Sequence, residues 1–206
     1  MSKLSDSIFV FAHGAGAGMD SDFMLSFSKL LESKGLEVKR FDFPYMKLIR
    51  ETEKRRPPDR MPKLLTAYKN EIESLVAMIS ANKKIYIGGK SMGGRVASLL
   101  ATESSKVLNI RGIICLGFPF HPPKNPENYR GEHLADIDLP TLILQGERDP
   151  FGSKKEMINF DFSAQVSVSF LVDGDHSFKP RIKSGVTLDD NLEKAADQII
   201  HFIGDN

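Results

Sequence analysis

The chain carries one cysteine in 206 residues. No intrachain disulfide can staple it, so a packed core must hold the fold. Charge of one sign is also missing: 28 Lys and Arg against 27 Asp and Glu leave a formal net charge of +1. That removes any global electrostatic case for nucleic acid as a partner. No apolar run approaches the ~20 residues that cross a bilayer. Met1 to Ser7 is polar, and the apolar run after it breaks at His13-Gly14. Neither a leader nor a membrane contact is therefore expected, and the cytoplasm is the default compartment. No repeat, low-complexity tail or linker divides the chain, so residues 1–206 are expected to form one domain. No two histidines have metal-ligand spacing, and no metal is expected. Cys115 lies in the run Ile113-Ile114-Cys115-Leu116, which reads as a buried strand with a packed, structural thiol.

The hydrophobic share is 41% and the charged share 27%, as in ordinary globular chains. Strand-like and helix-like runs alternate. Strands are expected at 7–12, 36–43, 85–88, 110–117, 141–146 and 166–172. Helices are expected at 20–33, 61–80 and 189–202, the second with Leu64, Leu65, Tyr68, Ile72, Leu75, Val76 and Ile79 at spacings of three and four. This order implies a parallel sheet of six strands covered by helices on both faces, the three-layer α/β class. Ligands in such sheets bind beyond the carboxyl ends of the strands.

Four of those ends carry unusual residues. Gly89-Lys90-Ser91-Met92-Gly93 lies between a strand and a helix, the pattern of a nucleophile elbow. Its turn lifts Ser91 Oγ clear of the sheet at a helix N-terminus, and the Met92 amide faces the place where negative charge would develop. A serine hydroxyl needs a base beside it, and His176, in the loop after the last strand, is the candidate. A carboxylate must hold the other ring nitrogen. Asp149, closing the preceding strand, fits better than Asp173 or Asp175, because residues adjacent on one loop rarely face each other. The run His13-Gly14-Ala15-Gly16-Ala17-Gly18 lacks the Lys-Ser/Thr ending of a phosphate loop. It reads instead as the second half of an oxyanion hole, with Ala15 N–H as donor and His13 as a scaffold residue.

Other candidates carry two readings each. His121 follows a strand end and either lines the pocket or does not reach it. Residues 47–63 hold seven basic against three acidic side chains. Arg55 and Arg56 in that segment either read an anionic group on a substrate or belong to a solvated loop. His133 and His201 read as capping or surface residues.

These motifs resemble the α/β-hydrolase superfamily, and within it the small, lidless, dienelactone-hydrolase-like branch. The likeness runs from Ile8 to the last helix. Residues 54–60 and 174–180 are similar to a narrower group with testis-expressed and chromatin-complex relatives in animals. The resemblance implies a serine hydrolase of the carboxylesterase or thioesterase type. It would act on a small ester or thioester through an acyl-serine, without cofactor, as a monomer or weak homodimer. Dienelactone hydrolases carry cysteine where Ser91 stands. The segment 117–139 is too short for a large lid, so an open site is expected. The competing expectation is a binding or scaffold protein on the same fold.

Overall fold

The computed structural model describes residues 4–104 and 108–206. In chain order these form β1 (Ser7–Ala12), α1 (Asp22–Ser33), β2 (Glu37–Phe41), α2 (Pro44–Thr52), α3 (Met61–Val76), β3 (Lys84–Lys90) and α4 (Met92–Ser104). β4 (Ile110–Leu116), β5 (Thr141–Gly146), β6 (Val166–Leu171) and α5 (Leu188–Asp205) follow. The six strands make one sheet in the order β2-β1-β3-β4-β5-β6, and every pairing is parallel. This is the six-stranded, all-parallel sheet, covered by helices on both faces, that the sequence implied.

Alternation along the strands builds the two halves of the core. On β1, Ile8, Val10 and Ala12 pack with Leu64, Tyr68 and Ile72 of α3 and Val96 and Leu100 of α4. Phe9 and Phe11 point the other way, onto Phe27 and Leu31 of α1 and Ile199 and Ile203 of α5. Burial on both faces explains why the inner strands read as near-continuous apolar runs. Cys115 is buried in β4, its Sγ against Gly94 O, and burial pushes its thiol pKa up.

Tyr68 pins α3 to the sheet. Its hydroxyl is buried between Val10 O at 2.5 Å and Gly88 O at 2.7 Å, and it accepts Gly88 N–H at 2.9 Å. Tyr68→Phe leaves those backbone groups short of a partner. It is expected to cost about 1–3 kcal/mol, read as a lowered urea midpoint at unchanged m-value.

Two expectations needed correction. The helix over 61–80 ends at Val76. Both Met78 N and Ile79 N turn back to Leu75 O, tightening the last turn, while Val76 and Met78 face solvent. Between β2 and α3, where no helix was expected, α2 forms. Pro44 occupies the first turn of α2, where its missing N–H costs nothing, and Glu53 ends the helix in the left-handed region at φ 56°.

Candidate active site

The elbow between β3 and α4 is as tight as the glycine spacing requires. Ser91 sits at φ +51°, a strained value for a residue with a side chain. Its amide donates to Leu116 O at 2.9 Å. A Cβ on Gly93 would lie 2.6 Å from Ala12 O and 2.7 Å from His13 O, and one on Gly89 would lie 2.5 Å from Ala12 O. Only glycine lets β1 and the first turn of α4 approach this closely.

His176 reaches the elbow from the loop after β6. Its Nε2 is 2.9 Å from Ser91 Oγ, and its Nδ1 is 2.8 Å from Asp149 Oδ2. With the Nδ1 proton directed at the carboxylate, Nε2 is free to accept the serine proton. Asp149 is fully buried and held on both oxygens. Phe151 N donates to Oδ1 at 2.9 Å, and Gln145 Nε2 to Oδ2 at 2.9 Å. The nearer acids are spent elsewhere. Asp173 pairs with Arg181 and Arg148, which hold its carboxyl down to about 2, with Arg181 the larger influence. Asp175 accepts Ser177 N and Lys179 N and so shapes the loop.

The loop after β1 is built from its carbonyls. His13, fully buried, donates from Nδ1 to Gly14 O at 2.7 Å and accepts Phe43 N–H on Nε2 at 3.1 Å. Burial lowers its pKa and favours this neutral form. Tyr45 of α2 donates to Ala15 O at 3.0 Å. With those oxygens tied back, Ala15 lines the cleft over Ser91. Met92 N is the first amide of α4 and has no intrahelical acceptor. These are the two amides expected to face a developing oxyanion.

The cleft is a cavity of about 340 Å³. Phe23, Met24 and Phe151 give it apolar walls, and Lys90 is the one lysine, arginine or carboxylate among its lining side chains. Phe151 also lies against the His176 ring, with centroids 4.3 Å apart. The segment 117–139 does not cover this cleft: Phe118, Phe120, Leu134 and Ile137 turn into the core.

The model of an alpha/beta hydrolase domain matches residues 5–204. The chain belongs to the alpha/beta hydrolase family. Solved structures share its fold at low identity. An alpha-beta serine hydrolase homologue from Coxiella burnetii is 15% identical with a TM-score of 0.69, covering 95% of this chain and 84% of that one. A serine hydrolase without lid from Xanthomonas campestris is 15% identical with a TM-score of 0.67, covering 95% and 81%. A dienelactone hydrolase from Anabaena variabilis is 19% identical with a TM-score of 0.68, covering 95% and 86%.

This alpha/beta hydrolase places three expected substrate contacts outside the cleft. Arg55 and Arg56 are exposed on the stretch between α2 and α3 and do not line the cavity. Of the same basic segment, Arg50 pairs with Asp20 and Asp42, Lys47 with Glu71, and Lys63 with Asp59. His121 is buried, with Nδ1 on Pro122 O and Nε2 3.3 Å from Glu156, again away from the cleft. A second serine–histidine pair, Ser98 and His133, is 2.8 Å apart. Ser98 is fully buried and its hydroxyl donates to Arg95 O, so it offers no face to a substrate. Burial holds the His133 pKa down to about 4.

Sequence reasoning passed over Lys90, Gln145, Tyr45 and Phe151. Two left a signal: Lys90 and Gln145 are polar residues at the ends of otherwise apolar strands, where a buried polar group needs a partner. Among the described residues no cluster of ligating side chains could hold a metal ion. No helix among them is long and apolar enough to cross a membrane.

Proposed function

We propose that the chain is a serine hydrolase that cleaves a carboxylic ester or thioester of a small substrate through an acyl-serine. The reading is carried by the unbroken line Asp149 Oδ2, His176 Nδ1, His176 Nε2, Ser91 Oγ, with steps of 2.8 and 2.9 Å. In this mechanism Ser91 Oγ attacks the acyl carbon while its proton passes to His176 Nε2. The carbonyl oxygen becomes an oxyanion held by the Ala15 and Met92 amides. The imidazolium, balanced by Asp149, gives its proton to the departing alcohol or thiol. Water then repeats the sequence on the acyl-enzyme: His176 takes its proton, the hydroxyl adds to the carbonyl, and Ser91 leaves with the proton returned. No cofactor enters the balance. The apolar walls and the modest cavity favour short acyl or aromatic groups, and a cytoplasmic setting suits the single buried thiol.

A fluorophosphonate probe tests this reading. The native protein is expected to be labelled on Ser91, and Ser91→Ala to lose all labelling while staying folded. A panel of short and long p-nitrophenyl esters and thioesters then ranks substrates. A native protein that resists the probe favours a binding or scaffold role instead.

A further inference from the structure

Lys90 closes β3, one residue before Ser91, and is only 8% exposed. A lysine beside an open cleft ordinarily runs its stem along apolar surface and leaves its ammonium in water. This one turns inward. Its Nζ donates to the backbone carbonyl of His176 at 2.6 Å. The ring faces of Phe23, from α1, and Phe178, from the histidine loop, lie 5.7 and 5.8 Å from it. The end of β4 makes room for the contact. Gly117 sits at φ +64°, and a Cβ there would lie 2.9 Å from His176 O and 3.0 Å from Lys90 Nζ. Either side of His176 the loop is tied by Arg148, whose backbone N–H donates to Gly174 O and whose guanidinium donates to Asp173 O, and by Asn191 Nδ2 on Phe178 O, while Asp175 N to Lys179 O and Phe178 N to Asp175 O close it on itself. Among the described residues, the Lys90 bond is what joins the His176 backbone to the sheet.

We propose that Lys90 is a positioning residue that ties the nucleophile elbow to the histidine loop, holding the His176 backbone so that its imidazole stays between Asp149 and Ser91. This rests on the proposed serine mechanism. The side chain of His176 is fixed at both ring nitrogens, and Lys90 fixes the other end of the residue. A misplacement of about 1 Å can cost ~100-fold in rate, so such a bond matters more to turnover than to binding.

The charged groups facing Nζ are Asp149, from the end of β5, and Asp175, from the histidine loop; α1 and β4 present Phe23 and Gly117. Burial outweighs both carboxylates and lowers the lysine pKa from 10.5 to about 8. Between those two values the unfolded chain holds a proton that the folded chain has released. Lys90 therefore contributes stability that grows as pH rises through that window.

Lys90→Met keeps the unbranched stem and removes the donor. With p-nitrophenyl acetate its kcat is expected to fall roughly 10- to 100-fold with KM little changed. Amide exchange over residues 173–178 is expected to accelerate while that of β5 does not. The variant should also lack the Lys90 contribution, so that raising the pH from about 8 towards about 10 favours its folded state less than it favours the native protein's. Native kcat or native exchange over 173–178 would each overturn the proposal. The exchange measurement is independent of turnover. A native protein that no fluorophosphonate labels defeats the hydrolase reading, yet the loop exchange still decides the tether. Should Lys90→Met fold poorly, Lys90→Gln, with a donor on a shorter stem that falls short of His176 O, is read the same way.

Discussion

Asp149→Asn is expected to lower kcat by about 10⁴-fold with little change in KM and no loss of fold. Both carboxylate oxygens of Asp149 receive donors: Phe151 N on Oδ1, and Gln145 Nε2 with His176 Nδ1 on Oδ2. An amide offers only one oxygen, so its NH₂ must face a donor in either orientation. The imidazole is the partner that can yield, by moving its proton from Nδ1 to Nε2. That tautomer points a proton at Ser91 and cannot act as its base. The measurement is steady-state turnover of a p-nitrophenyl ester beside the rate of fluorophosphonate labelling, and the two should fall together. A loss below about tenfold would mean that the 2.8 Å contact with His176 has no part in proton transfer.

The second large effect is on folding. Gly93→Ala would put a methyl group within 2.6–2.8 Å of three backbone atoms of Ala12 and His13. Backbone cannot swing aside as a side-chain tip does, so either α4 shifts away from β1 or the elbow opens. The expected cost is roughly 3 kcal/mol, read as a drop in the urea midpoint. Any folded remainder should label slowly, because displacing His13 and the first turn of α4 moves Ser91 and both candidate oxyanion amides. Native stability for this variant would show that the elbow relaxes more easily than its close contacts suggest.

The elements that a single periodicity governs were legible in the sequence. β1 and β5 fall on their expected residues because each is a short, near-continuous apolar run closed by histidine or glycine. The chain order of Ser91, Asp149 and His176 also sufficed to bring together three side chains that do meet. What escaped was set by contacts across elements. α2 is only nine residues long, so its apolar face of Tyr45, Met46, Leu48 and Ile49 spans barely two turns, and the surrounding charges of 47–63 masked it. Yet its tyrosine holds the loop that carries Ala15. Arg55 and Arg56 drew attention as a dense cluster of charge, but solvent, not the cleft, is what receives them. Lys90 was hidden inside the elbow pattern, whose second position accepts many residues, and only the path of the chain after β6 gives it a partner.

Cys115, sealed in β4 against Gly94 with its thiol pKa raised by burial, leaves the folded surface without a reactive thiol. A maleimide dye or spin label directed to a cysteine introduced at Ser177, on the rim, would report on that one position. Movements of the rim during turnover could then be followed without first stripping the native chain of competing thiols.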